Sequence, residues 1–494
     1  MNQFCLTPGI QDKSISIRFL AEQAFSRTTG ASLTCGNRVS LLKDAAENYP
    51  AWLDALRSAR KTIHFESYII HEDDIGWQFA EVLANKAREG VKVRILYDWM
   101  GALGTTSRRF WRKLKEAGAE VRCFNPPRLD SPLNWVSRDH RKMIGVDGKV
   151  AFVTGLCVGR MWVGYPDRNI PPWRDTGIEV YGPAVADIEG SFRNIWAVTG
   201  DPLPADEVFE RDAIPAVGDA ALRVIPTIPN TAGLYRLDQL IAAIARRSLW
   251  MTDAYFVAAT SYVQALRAAV KGGVDVRLLV PGSTDIPFLR QLSRSGYQPL
   301  LEGGIRVFEW NGPMIHAKTA VADGRWARVG STNLNISSWF GNYELDVAVE
   351  DEKFALEMEE MYLEDLKHAT EVLLSKRHRV SLAANRPRRP LREKKIGGGS
   401  VSRAGASAVR LSNIVGAAIT NHRLLGPAEA RITGIGGLSL LLFALTSVLL
   451  PRAVTIPIAL LSGWLGLSLL IRTHRLLQKK RREEEQEEEG SDAR

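Results

Sequence analysis

Two histidine–lysine pairs carry the chemistry open to this sequence. His140 and Lys142 are followed by Asp147, and His316 and Lys318 by Asp323, so the pattern H-x-K-x4-D occurs twice. One H-x-K is worth little, but two complete copies at matching places in a repeat point to a shared site. Two imidazoles flanked by two ammonium groups suit a phosphodiester. One imidazole attacks phosphorus and the other protonates the leaving oxygen. The lysines neutralise the non-bridging oxygens as charge develops on them. A phosphohistidine results, and the second imidazole then activates the incoming hydroxyl or water. The set lacks the carboxylate cluster that Mg²⁺ would require, so neither metal nor cofactor is expected. Each imidazole needs an orienting partner on its other ring nitrogen. Asp175, 35 residues past His140, and Glu344, 28 past His316, are candidates for that role. Asn333 and Ser331 can donate to a phosphate oxygen.

The elements that must position these groups are themselves repeated. Residues 62–98 and 249–281 each read as a short strand, an amphipathic helix, a glycine and a β-branched strand. Gly90 and Gly273 stand just past the helices, where a left-handed cap favours glycine. Each half then runs into another helix and strand. Alternation of this kind predicts a largely parallel sheet with helices on both faces. Residues two apart on a strand share a face, so each His points with its Lys. Asp147-Gly148 and Asp323-Gly324 then predict hairpin turns. The halves are expected over 38–205 and 206–375, after an N-terminal extension over 1–37.

The 494 residues carry a formal charge of +9, with 45% hydrophobic and 24% charged residues, which excludes a disordered or collagen-like chain. Four cysteines, at 5, 35, 123 and 157, make no C-x-x-C pair, and a reducing compartment is expected. Residues 376–410 hold eleven Lys or Arg against one acid, Glu393, and read as a flexible basic linker able to meet anionic headgroups. Two uncharged runs of 19 residues, 432–450 and 453–471, are each about 28 Å long as helix. They predict a membrane helical hairpin within 411–475, with basic flanks that place the main body on the cytoplasmic side. A charged tail over 476–494 follows.

The two motifs resemble the phospholipase D superfamily. The surrounding residues are more similar to bacterial cardiolipin synthases, notably 65–83, 138–155, 173–185 and 329–345. The resemblance covers roughly residues 38–370. It implies a duplicated α/β fold of two mostly parallel sheets with one central active site between the halves. It also implies transfer of a phosphatidyl group between phosphatidylglycerol molecules, releasing glycerol and giving cardiolipin. His140 then matches the nucleophile, His316 the general acid and base, and Lys142, Lys318 and Asn333 the phosphate-binding residues; Asp147 and Asp323 complete the motifs. The implied partners are anionic phospholipids and the bilayer, not nucleic acid, and the implied location is the bacterial inner membrane. One departure stands out. The second half reads Gly330-Ser-Thr-Asn333, whereas the first reads Thr154-Gly-Leu-Cys157, so Cys157 replaces an amide donor. The segment that follows, Val158 to Gly164, also leaves the family pattern. Trp99, Trp135, Trp162 and Trp339 lie near the motifs and could either admit acyl chains or pack in the core. Hydrolysis of a phospholipid is the nearest rival activity, a nuclease a weaker one, and a non-enzymatic membrane scaffold the alternative of another class.

Overall fold

The computed structural model describes residues 22–127, 137–374 and 380–382, with scattered positions between 438 and 474. It divides into a unit of residues 1–124 with 137–422 and a unit of 125–136 with 423–494. The first unit holds the whole sheet and every motif residue named above.

Seven strands make the first half. They are β1 (Thr34–Lys43), β2 (Thr62–Ser67), β3 (Lys92–Asp98), β4 (Glu120–Phe124), β5 (Lys142–Val146), β6 (Val150–Thr154) and β7 (Thr176–Tyr181). Seven more repeat them: β8 (Ala220–Thr227), β9 (Ser248–Thr252), β10 (Asp275–Pro281), β11 (Arg306–Trp310), β12 (Thr319–Ala322), β13 (Trp326–Gly330) and β14 (Glu344–Glu350). In space the first half runs 1-7-6-5-2-3-4 and the second 8-14-13-12-9-10-11, the same permutation. β15 (Ala369–Leu374) and β16 (Val380–Leu382) extend the second half beyond β11. Thus β1 begins inside the stretch expected as an extension, and β16 lies inside the stretch expected as linker.

Two expectations about the sheet are corrected. There is one 16-stranded sheet rather than two, because β1 and β8 pair antiparallel and join the halves edge to edge. The sheet is also mixed. Among the described residues only β2-β3-β4 and β9-β10-β11 run parallel, and these are the strands linked by helical crossovers. The Asp-Gly turns reverse the chain elsewhere. Asp147 and Gly148 have φ of 55° and 64°, and Asp323 and Gly324 have 56° and 63°. Positive φ at both central residues is the turn geometry that matches strand twist in a tight hairpin.

The crossover helices α1 (Asp74–Arg88) and α3 (Thr260–Lys271), and α2 (Ala184–Val198) and α4 (Glu352–Lys367) after each seventh strand, cover the sheet. Gly90 and Gly273 follow α1 and α3 with φ of 89° and 90°. A second buried constellation lies under α2. His64 of β2 pairs through Nδ1 with Glu189 and lies 4.0 Å from Glu207 through Nε2, with its ring stacked on Phe192.

The expected membrane hairpin and inner-membrane placement are overturned. Among the described residues no helix is long and apolar enough to cross a membrane. An uncharged run supplies apolar length, but a span needs one continuous helix of that length. Residues 444–449 are helical and Leu450 is not; it precedes Pro451, and proline disfavours helical backbone at the residue before it. Of the cysteines, Cys35 is disulfide-bonded, against the expectation of a reducing compartment, while Cys123 and Cys157 are free thiols. The basic stretch 376–410 (β16 aside) and the tail 476–494 lie outside the described residues.

Candidate active site

Backbone pairing across the two halves builds the site. The His140 N–H donates to Tyr343 O at 2.9 Å, and the His316 N–H donates to Arg174 O at 2.7 Å. Tyr343 and Arg174 are the residues just before Glu344 and Asp175. Parallel bridges join Asp139 to Tyr343 and Arg174 to Ile315. Each histidine therefore lies beside the acid of the other half. His140 Nδ1 is 2.8 Å from Glu344 Oε2, and His316 Nδ1 is 2.8 Å from Asp175 Oδ2. The two acids singled out by spacing serve the imidazoles crosswise. With Nδ1 facing a carboxylate, Nε2 is the ring nitrogen turned away from the acid.

The lysines complete the cluster. Lys142 and Lys318 are each 1% exposed, and each ammonium donates to the carbonyl of its own motif histidine. Lys142 lies 5.2 Å from the ring centroid of Tyr68, and Lys318 5.8 Å from that of Tyr255. The same tyrosines meet His140 and His316 edge-on, at 4.9 and 5.8 Å. These rings sit in loops just past β2 and β9, and nothing in their sequence spacing marks them.

Burial shapes the charges. It lowers the Lys318 pKa to about 8, with Lys142 pushing the same way and Asp175 opposing. His316 is likewise held below its usual value by burial and by both lysines, although Asp175 supports its charged form. The two acids differ. Burial alone would raise Asp175, but the charge and hydrogen bond of His316, then Lys318 and the Thr176 N–H, hold it below the usual carboxylate range. Burial raises Glu344 to about 7 against Lys142 and its hydroxyl and amide donors.

Other candidates fall elsewhere. Asp147 accepts from the backbone N–H of Arg60, Lys61 and Thr62, and Asp323 from those of Arg246, Arg247 and Ser248. Each sits five residues along the hairpin from its lysine, roughly 16 Å at ~3.3 Å per residue. They clamp the hairpin turn to the start of β2 or β9 and stand away from the imidazoles. Ser331 is also committed, donating to Glu344 Oε2 at 2.6 Å and accepting from the Leu345 N–H at 3.0 Å. It holds an acid and is not available to a phosphate. Asn333 is 4% exposed and its Oδ1 accepts no hydrogen bond. Its counterpart Cys157 is buried, and burial raises its thiol pKa against the opposing pull of both lysines, so the neutral thiol is the form present. Arg141, between His140 and Lys142, is a missed residue. It donates to the carbonyls of Glu344, Ser191 and Thr227 and so ties the motif to the other half.

The tryptophans divide. Trp339 is buried in the second-half core, Trp99 is half-buried and Trp135 lies outside the described residues. Trp162 is fully buried, and its indole N–H donates to Asp175 Oδ2 at 3.0 Å. Its ring and that of Trp173 each lie 5.8 Å from His316.

Comparison with known proteins shows the family. A family profile described as "Cardiolipin synthase, PLD-like domain" matches residues 52–161 and 239–366, which carry both motifs. The cardiolipin synthase of Alkalihalophilus pseudofirmus is 32% identical over 361 residues, 72% of this chain and 70% of that one. That of Clostridium perfringens is 31% identical over 70% of this chain and 73% of its own. The chain belongs to the phospholipase D-like cardiolipin synthase family. It is accordingly an enzyme of that superfamily. Among solved structures, phosphatidylserine synthase of Haemophilus influenzae superposes with a TM-score of 0.53 at 15% identity, over 67% of this chain and 87% of that one, a likeness of fold.

Proposed function

We propose that the chain transfers a phosphatidyl group from one phosphatidylglycerol to another, giving cardiolipin and glycerol through a phosphohistidine. The crossed pair of His–carboxylate dyads, with a buried lysine beside each motif histidine, carries the reading. His140 Nε2 attacks the phosphorus of the first lipid and breaks its bond to the glycerol headgroup oxygen. His316 gives its Nε2 proton to that oxygen, and glycerol leaves. A primary hydroxyl of the second phosphatidylglycerol then loses its proton to His316 and attacks phosphorus. The P–N bond breaks, cardiolipin departs and both imidazoles return to their starting states. Lys142 and Lys318 face the non-bridging oxygens throughout, where charge grows in each transition state. Asn333 is suited to the same oxygens, with Cys157 opposite as a weaker donor. Asp175 and Glu344 fix the tautomers, and Asp147 and Asp323 fix the hairpins.

The substrate part of the reading draws on the names of the relatives and on the anionic-lipid fit of two buried cations. The test is a product analysis. The full chain in detergent is supplied with phosphatidylglycerol and the lipids are resolved. Cardiolipin with an equal amount of glycerol is expected. Phosphatidic acid as the sole product would mean that water is the acceptor and would replace transfer with hydrolysis.

A further inference from the structure

The repeat places equivalent residues side by side, and one contact fails to repeat. Gly155 N donates to Thr176 O, and Ser331 N donates to Leu345 O, so Gly155 and Ser331 are counterparts, as are Asp175 and Glu344. In the second half the Ser331 hydroxyl holds Glu344 Oε2. In the first half the counterpart has no side chain, and none would fit. A Cβ on Gly155 would stand 2.2 Å from Asp175 Oδ1. The missing donor comes from the Arg160–Val163 helix, in the segment where this chain leaves the family pattern. Trp162 Nε1 reaches Asp175 Oδ2, the same oxygen that receives His316 Nδ1.

We propose that Trp162 is a positioning residue: its indole N–H replaces the serine hydroxyl of the other half, holds Asp175 as an acceptor and thereby fixes which nitrogen of His316 carries a proton. The hydrogen accounting supports this. An indole nitrogen only donates, whereas a serine hydroxyl both donates and accepts. Asp175 Oδ2 receives the Trp162 N–H and Oδ1 the Thr176 N–H, and donors of this kind favour the ionised carboxylate, which can only accept. Facing an ionised acceptor at 2.8 Å, His316 Nδ1 carries the hydrogen and Nε2 is presented on the other side of the ring. Glu344 is held differently. Besides His140, its partners are the Ser331 and Ser338 hydroxyls and Asn342, whose Oδ1 has no partner and could accept a carboxyl proton if the amide turned. The low Asp175 pKa and the Glu344 value near 7 agree with that difference. The other titratable or charged groups around the pair are Lys142, Lys318, Cys157 and Tyr255 in front, with Asp44, Arg174 and Asp365 behind.

The inference rests on the phosphotransfer reading only for its kinetic readout. The test replaces Trp162 with β-(3-benzothienyl)alanine, which keeps the bicyclic shape and deletes the N–H, alongside Trp162→Phe. Trp173→Phe is the comparison, since Trp173 lies equally close to His316 but makes no bond to Asp175. Loss of a charge-assisted hydrogen bond is expected to lower kcat about tenfold or more, with KM within about twofold. The acid limb of the kcat profile should rise by about half a pH unit, because Asp175 takes a proton more readily. Independently of turnover, ¹⁵N resonances of His316, assigned with His316→Asn, should report one Nδ1–H tautomer in the native chain and a mixture in the Trp162 variants. The same tautomer in all proteins, or an equal shift of the acid limb in Trp173→Phe, overturns the proposal. Absence of lipid turnover in the native chain, with an altered His316 tautomer in the Trp162 variants, would instead count against the phosphatidyltransfer reading alone.

Discussion

His316 Nδ1 sits 2.8 Å from Oδ2 of Asp175, a residue 141 positions earlier in the chain and in the other half of the repeat. His140 and Glu344 mirror the contact across 204 positions. Replacing either acid by its amide should therefore disable the histidine of the opposite half. Asp175→Asn and Glu344→Gln are each expected to lower kcat by about 100-fold or more, in the range of general acid–base contributions, with lipid binding retained. Steady-state kinetics with a circular dichroism check would decide. Near-native turnover in either amide variant would remove the crossed dyads from the mechanism.

The motif aspartates should behave in the opposite way. Asp147→Ala and Asp323→Ala each strand three backbone N–H groups at the base of a hairpin. A cost of about 1–3 kcal/mol in stability is expected for each, with kcat changing only a few-fold at temperatures where the variant is folded. Burial alone would raise Asp323, but the N–H donors of Ser248, Arg247 and Arg246 hold its pKa below the usual value. Its stabilisation is thus present above the unfolded-state value of about 4 and is lost as pH falls through the folded value. Thermal melts at pH 7 and pH 3.5 would show this as a smaller acid-induced loss in Asp323→Ala.

His64 provides a pH signature remote from the site. Burial would lower its pKa, but Glu189 and then Glu207 raise it to about 9. The folded value lies above the unfolded value of about 6.5, so the stabilisation is complete below pH ~6.5 and lost as pH rises through 9, on the order of 3 kcal/mol. The melting temperature of the native chain should decline across that interval, and His64→Gln should be less stable but flatter. An equally steep decline in the variant would assign the slope to other groups.

Gly155 is the most sensitive small residue of the site. Gly155→Ala puts a methyl 2.2 Å from Asp175 Oδ1, so the carboxylate must move away from His316 and Trp162. A fall in kcat of about 100-fold is expected, as for loss of the acid itself. Turnover within fivefold of the native chain would mean that the acid tolerates displacement.

The parts of the site readable beforehand were those written as repeats. Duplicate H-x-K-x4-D motifs named His140, His316, Lys142 and Lys318, and spacing picked out Asp175 and Glu344. Spacing within each half could not reveal that the acids cross over, because that depends on the Arg174–Ile315 and Asp139–Tyr343 bridges between halves. Ser331 read as a phosphate donor because its type permits it, while its commitment to Glu344 is a matter of tertiary packing. Tyr68 and Tyr255 left no signal, as aromatic residues in apolar loops are commonplace. The Asp-Gly turns were visible, yet the alternation of strands and helices outweighed them and suggested too much parallel pairing. The uncharged C-terminal runs gave apolar length, and composition alone does not say whether one long helix forms over it.

The join between β1 and β8 uses one edge of each half, and the dyads exchange partners across the centre. A fragment ending near residue 205 would keep His140 and Asp175 but neither of their partners. It would own half of two dyads and the whole of none. Selection on either acid therefore acts through the histidine contributed by the other copy, and the two copies cannot diverge independently. Separated halves would be expected to regain activity only on reassociation, so the linker between them sets an effective concentration as well as a topology.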